Sequence, residues 1–227
     1  MYASPVAAGQ RDVQAAASMQ AGQARLDGFI AWAPWIWVIA GVASLIVNWA
    51  SIGYYRDLWH WWHALVQASG AGRTLPAAPQ RPLWSSLFSL VGLGVLAVEI
   101  VFLVWQYRAA QVARALRYPA RHSPGWGVGC WFVPVVNLWM PYQAIRDCLP
   151  PGHRARRYVL STWITFLIVI FLGPVTLVAL VGAPDLGVAL VCLSVAAEMA
   201  LGVSASRAVT AIASDHRDVV ATGSPPV

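Results

Sequence analysis

The stretch 158–181, YVLSTWITFLIVIFLGPVTLVALV, is 24 residues long and contains no charged side chain. The hydrocarbon core of a bilayer is about 30 Å thick, and about 20 consecutive apolar residues in a helix can cross it. A helix on the surface of a soluble protein carries a polar face, and this stretch has none. It therefore predicts a membrane-spanning helix, with a kink at Gly173 and Pro174.

Three further stretches have the length and apolar character of spans: 29–52, 84–106 and 186–207. The whole chain is 59% hydrophobic and 11% charged, whereas soluble domains have about 45–50% apolar and about 25% charged residues. We therefore predict an all-α integral membrane protein, a four-helix bundle over residues 29–212. Residues 1–28 form an N-terminal segment, and residues 213–227 are expected to be a disordered tail.

The arginines predict the orientation of the spans, because cytoplasmic loops of membrane proteins carry an excess of positive charge. All 15 basic residues are arginine, and the segment between the second and third spans is the richest in them. Both termini and this segment are therefore expected on the cytoplasmic side of the membrane. The net charge of +6 is explained by this orientation and by binding to anionic lipids, so no nucleic-acid partner is expected. The arginines of the segment are Arg108, Arg114, Arg117, Arg121, Arg146, Arg154, Arg156 and Arg157.

Residues 126–149, WGVGCWFVPVVNLWMPYQAIRDCL, complicate the count of spans. They are apolar enough to cross, but Pro134 and Pro141 interrupt a helix and Asn137 lies between them. The charge rule favours a re-entrant or interfacial segment on the cytoplasmic side, because a crossing would place the arginines of 154–157 outside. A fifth, broken span is the alternative.

Residues 54–67, YYRDLWHWWHALVQ, predict an amphipathic helix at the extracytoplasmic surface of the membrane. Its apolar residues recur at helical spacing, and its tryptophans are typical of the wet edge of a bilayer. His60 and His63 share one face and are the weak candidates for metal or haem ligands. Because nothing nearby completes a ligand set, we expect an interfacial role for them and no cofactor.

The segment from Ser123 to Asp147 resembles the signature of the domain-of-unknown-function 4328 family, bacterial membrane proteins frequent in actinobacteria. The similarity covers about residues 84–212, and the aromatic-Arg-Ala sequence at residues 107–109 extends it. It implies a membrane domain and adds no activity. The residues that carry it are Pro124, Gly125, Trp126, Trp131, Phe132, Pro134, Asn137, Leu138, Trp139, Pro141, Tyr142 and Arg146.

Two carboxyl groups within the predicted spans form the main candidate polar site. Glu99 lies nine residues before Arg108, and Glu198 lies nine residues before Arg207. In helices of the same direction both would lie ~13 Å from their arginines, at matched depth. Glu99 also shares a stripe of small and polar residues with Gln106, which predicts that it faces the bundle interior.

Three classes of function remain open. The favoured one is a non-enzymatic accessory subunit that binds a protein partner or a second copy of itself. The second is a small transporter, or a binder of lipid or another hydrophobic ligand, with Glu99 and Glu198 as titrating groups. The third is a redox protein that binds haem or metal through His60 and His63.

Overall fold

The computed structural model describes residues 14–24, 52–70 and 86–222, and single positions or short runs between them: 27, 28, 30, 32, 36, 39, 42, 43, 46, 49, 50, 74, 77–80 and 82. The described part of the chain is helical and contains no strand. This confirms the predicted all-α class. Most of the predicted first span, 29–52, lies outside the described residues, so the count of four spans stays a prediction.

Among the described residues, three helices are long and apolar enough to cross a membrane. They are α3 (Ser86–Ala115), α6 (Arg156–Gly182) and α7 (Pro184–Thr222). The stretch that opened the sequence analysis forms most of α6, which continues as one helix through Pro174. These segments therefore form helices of the predicted length and apolar character.

Two helices precede these spans. The first, α1, is helical over residues 14–24, and several described positions from 27 to 50 are helical as well. The second, α2, runs over Ile52–Gly70 and contains the stretch predicted to be amphipathic. Its Trp62 is exposed, whereas Leu58, Trp61 and Leu65 are half-buried.

The proline-broken segment forms short helical pieces and no long helix. Its longest helix has seven residues, which corresponds to a length of only about 10 Å. Ser123 begins the segment by accepting a hydrogen bond from the Trp126 N–H (3.2 Å), and Pro124 follows at the start of the helix, where its missing N–H costs nothing. The pieces are α4 (Pro124–Gly129), two 3-10 turns (Cys130–Phe132 and Val136–Leu138) and α5 (Met140–Arg146).

The link between α6 and α7 is tight. Only Ala183 separates the two helices, and the Gly187 N–H donates back to its carbonyl (2.9 Å). A Cβ at Gly187 would lie 2.5 Å from the Leu180 Cα. Glycine is therefore required here by close backbone approach.

Helix α7 extends well beyond the predicted fourth span. It has 39 residues, about 58 Å, whereas the bilayer core needs about 20 residues. Residues 213–222, expected from the sequence to be disordered, continue the helix. They do so because His216 is fully buried and Val219 is nearly so, and both contribute to packing. Residues 223–227 lie outside the described part.

The chain divides into two compact units. Unit 1 comprises Met1–Trp35, Leu96–Ile164 and Leu201–Val227, and unit 2 comprises Ile36–Val95 and Thr165–Ala200. In unit 2, Leu180, Val191 and Val195 form a small apolar core. The broken segment and its flanking arginines belong to unit 1, which therefore contains the candidate site.

Candidate functional site

Gln106, in the last third of α3, connects that helix to the broken segment. Its side chain is 1% exposed. The Nε2 atom donates to the Gly127 carbonyl (2.9 Å), and Oε1 accepts from the Trp131 indole N–H (2.8 Å). One buried amide thus fixes both α4 and the turn after it. Of the stripe for which the sequence predicts an interior position, Gln106 is buried.

Asp147 connects the two ends of the broken segment. It is nearly buried, and its Oδ2 accepts from the Arg121 backbone N–H (3.1 Å). Its Oδ1 accepts from Arg146, at 2.9 Å from Nη2 and 3.2 Å from Nε. A second link joins the same two stretches, because His122 Nε2 lies 3.2 Å from Gln143 Oε1. The segment is therefore closed into a loop by side chains.

The end of α7 holds the chain on both sides of the broken segment. The Tyr118 hydroxyl donates to Asp215 Oδ2 (2.7 Å), and burial together with this carboxylate raises the pKa of Tyr118. Asp215 Oδ1 also lies 3.6 Å from His153 Nε2. His216 Nε2 donates to the Cys148 carbonyl (2.9 Å). Sequence reasoning missed this contribution because residues 213–222 carry no apolar run.

The two cysteines of the segment behave as packing groups. Cys130 and Cys148 are buried, and their thiols donate to backbone carbonyls at 3.1 and 3.5 Å. Burial raises the pKa of Cys130. Burial and the Asp147 charge raise the pKa of Cys148 to about 12. Both stay protonated at neutral pH, so neither is an activated nucleophile.

The motif residues divide into buried anchors and exposed apolar groups. Pro141 is buried at the start of α5, and Trp131 packs its ring against Phe102 and Trp163. Asn137 Oδ1 is buried without a hydrogen-bond partner in the described part of the chain. Gly125 and Pro134 are exposed, whereas Tyr142 and Arg146 are half-buried. The exposed apolar set is Trp126, Phe132, Val133, Val135, Leu138 and Trp139.

The predicted intramembrane polar residues are not brought together within one unit. Glu99 belongs to unit 1 and Glu198 to unit 2. Glu99 is exposed on α3, in contrast to the expected interior position, and Glu198 is half-buried on α7. Arg108 and Arg207 are exposed, and Arg108 Nη1 donates to the Gly22 carbonyl of α1 (3.2 Å).

The histidines of α2 are both exposed. The His63 ring lies edge-on to Trp59, with 4.1 Å between ring centroids, as an interfacial aromatic cluster would place it. Within the described ranges, no group of three or more His, Cys, Asp or Glu side chains is arranged to hold a metal ion.

This geometry belongs to the stretch for which a family relationship is found. Residues 67–214 match the family described as domain of unknown function (DUF4328). The chain belongs to the DUF4328 family. The resemblance read from residues 123–147 is thereby confirmed. The DUF4328 match includes α3 to α6 completely and most of α7, so the Gln106 and Asp147 contacts lie within the family domain. No curated protein and no solved structure matches the chain.

Proposed function

We propose that this DUF4328 protein is a non-enzymatic accessory subunit of the bacterial cytoplasmic membrane. Its partner is a membrane protein that contributes a helix to the face of α3 bearing Glu99. The exposure of Glu99 on a spanning helix is the observation that carries the proposal.

The face of unit 1 around Glu99 is apolar and is left exposed by the described residues. Leu96 and Ile100 are 50% and 54% exposed, and they lie four residues apart on one side of α3. In a bilayer this face meets lipid. A charged carboxylate at such a position costs at least about 2.5 kcal/mol. A partner helix that donates a hydrogen bond to Glu99 would remove most of that cost.

The reactive side chains of unit 1 support a scaffold more than a catalyst. Gln106, Asp147 and Asp215 use their polar atoms to hold backbone and neighbouring side chains. These contacts fix the broken segment so that its apolar residues face outward. Trp126, Phe132 and Trp139 are 47%, 73% and 45% exposed. We place this aromatic surface in the cytoplasmic interface of the bilayer, where indole rings are favoured.

The arginines around this aromatic surface form a candidate binding surface for anionic lipid. Arg114, Arg117, Arg121, Arg154 and Arg157 are all exposed. Each well-placed arginine near an anionic bilayer contributes about 1 kcal/mol of attraction. Anionic lipids are therefore expected to bind at the broken segment and to set its depth in the interface.

Photo-cross-linking tests the partner face. A photoreactive residue at Ile100 should give one defined cross-linked product in native membranes, either a second copy or one other membrane protein. The same residue at Leu160, which is 44% exposed on α6, is the matched control and should give only lipid adducts. Glu99→Leu should abolish the Ile100 product, whereas Glu99→Gln, which keeps a hydrogen-bonding side chain, should retain it. Equal products from both positions would contradict the proposal.

Nanodiscs of defined composition test the lipid part. Replacing Arg154 and Arg157 with Gln should reduce the thermal stabilisation given by phosphatidylglycerol relative to phosphatidylcholine. Arg56→Gln, a change to an exposed arginine on α2, is the control and should leave that difference intact. If neither variant changes the lipid dependence, the arginines do not recognise anionic lipid.

Transport is the competing function, with Glu99 and Glu198 as titrating groups. It predicts a proton or cation flux in proteoliposomes that the pair Glu99→Gln and Glu198→Gln removes. The accessory role predicts no such flux, and retention of the Ile100 cross-link by the Glu99→Gln variant. The two functions are thus separated by the same substitution.

A further inference from the structure

The N-terminal helix carries a buried polar stripe that the proposed function does not use. Its buried positions are spaced by four, three, four and three residues, which is the spacing of one helix face, and each of them is helical. Polar residues occupy the middle of this face. The buried residues are Ala16 (0% exposed), Gln20 (6%), Gln23 (0%), Asp27 (8%) and Ile30 (4%).

The stripe packs against α3 and α7 inside unit 1. Trp105 Nε1 donates to Asp27 Oδ1 (2.9 Å). On α7, fully buried His216 lies close enough for its charge and that of Asp27 to stabilise each other. His216 Nε2 bonds to a carbonyl, which can only accept, so Nε2 carries the proton and Nδ1 is an acceptor.

Several polar atoms of this cluster are buried without a hydrogen-bond partner of good geometry among the described residues. They are both amide atoms of Gln20 and of Gln23, Asp27 Oδ2 and His216 Nδ1, and the Gln23 side chain lies beside the Asp27 carboxylate. Native proteins rarely leave such atoms unsatisfied, because desolvating them is unfavourable. The acceptors here are two amide oxygens, a carboxylate oxygen and an imidazole nitrogen. Only the two amide nitrogens are available as donors.

The charge of the cluster is also unbalanced. Among the described residues, no cationic side chain forms an ion pair with Asp27. Arg217 acts on Asp27 only through its charge, and its side chain is exposed. Burial raises the pKa of Asp27, and the Trp105 indole N–H, Arg217, His216 and Gln23 lower it. A cation beside the ionised carboxylate would balance its charge.

We propose that Gln20, Gln23, Asp27 and His216 bind one small monovalent cation between the N-terminal helix, α3 and α7. The carboxylate and amide oxygens coordinate it, and His216 Nδ1 accepts a hydrogen bond from ammonium or from a water on an alkali ion. Divalent cations fit less well, because Ca²⁺ and Mg²⁺ favour several carboxylates or an octahedral set of oxygens. Zinc sites use more His and Cys ligands than the cluster offers.

Cation binding would fasten α1 to the rest of unit 1. A ligand that binds only the folded state raises the unfolding temperature as its concentration increases. The cluster and the Glu99 face use different residues, so cation binding and partner binding are tested separately.

Thermal unfolding of the full-length protein in detergent at pH 8 tests the site. NaCl, KCl and NH4Cl are compared with choline chloride at equal ionic strength, since choline is too large for the cluster. At least one small cation should raise Tm saturably, by about 5 °C at one hundred times its Kd. The order of the three salts distinguishes ammonium from an alkali ion.

Variants assign the response to the cluster. Asp27→Asn should abolish the salt-specific shift, and the matched control Asp218→Asn, an exposed carboxylate on α7, should keep it. If Asp27→Asn does not fold, Gln23→Met, which removes the amide at similar volume, should reduce the shift. Identical curves in all four salts would show that water alone satisfies the cluster. A shift that survives both Asp27→Asn and Gln23→Met would likewise overturn the site.

Discussion

At the residue scale, Gln106 is the most informative side chain of the family domain. Replacing it with Leu keeps its volume but leaves the Gly127 carbonyl and the Trp131 N–H without their partner. Losing buried hydrogen bonds of this kind costs about 1–3 kcal/mol. We expect Gln106→Leu to lower the thermal unfolding temperature in detergent. Gln111→Leu, a half-buried position of α3, is the control and should have little effect.

His216 should make the stability of the protein sensitive to acid. It lies nine residues beyond the predicted end of the fourth span, and burial lowers its pKa. Between that lowered pKa and about 6.5, the unfolded chain binds a proton that the folded chain excludes. The free energy of unfolding therefore falls as pH decreases below about 6.5, by up to about 1.4 kcal/mol per pH unit.

The groups around His216 also affect this dependence. Asp27 and neighbouring Asp215 favour the protonated imidazole but do not outweigh burial, and the Tyr118 ring lies 6.0 Å away. Burial raises the pKa of Asp27, so Asp27 contributes a slope of the opposite sign, and the contribution of His216 is the difference between variant and wild type. Unfolding curves between pH 5 and 8 should show a shallower slope for His216→Gln than for the wild type. His60→Gln, at an exposed position of α2, should keep the wild-type slope. Parallel curves for all three proteins would contradict the assignment.

At the element scale, the contact between α4 and α5 depends on a glycine. A Cβ at Gly127 would lie 3.2 Å from the Ala144 Cβ, so Gly127→Ala requires the two short helices to shift by a few tenths of an ångström. Overpacking of this kind costs about 1–3 kcal/mol. Gly125 in the same helix has open space around it, and Gly125→Ala should be neutral or slightly stabilising. Thermal unfolding of the two variants should therefore separate them, and equal losses would contradict this packing.

The elements that the sequence predicts well are those decided by local chemistry. Residues 158–181 form most of α6 because an uncharged apolar run of that length has one favourable conformation in lipid. The 126–149 segment breaks into short pieces, as its two prolines predict. The tight turn before α7 follows from Gly182, Pro184 and their neighbours in the same way.

Two other helical segments were not predicted, because their sequences are polar and contain no apolar run that would indicate burial. The helix around Gln20 and Gln23 lies in an Ala/Gln-rich stretch whose composition is typical of a surface segment. Residues 213–222 contain Asp215 and His216 and have no apolar run. Both form by tertiary burial, which composition does not reveal. The spacing of Ala16, Gln20 and Gln23 indicates one helix face, but glutamine is usually exposed, so the spacing alone does not predict that this face is buried.

At the scale of the whole molecule, the orientation of the broken segment decides the topology. No helix within it exceeds seven residues, far short of the thickness of a bilayer core. We therefore predict that it enters and leaves on the cytoplasmic side. Arg121 and Arg154, both exposed, lie on either side of it and should share one compartment.

Cysteine labelling tests this prediction directly. In a protein whose three native cysteines are replaced by alanine, Arg121→Cys and Arg154→Cys should react with an impermeant maleimide only from the cytoplasmic face. Ala78→Cys, exposed between α2 and α3, is the control and should react only from the opposite face. Labelling of Arg121→Cys and Arg154→Cys from opposite faces would show that the segment crosses. The arginines of 154–157 would then lie outside, against the positive-inside rule. The Gln106 contacts would then hold a crossing segment inside the membrane and not a segment at its cytoplasmic surface.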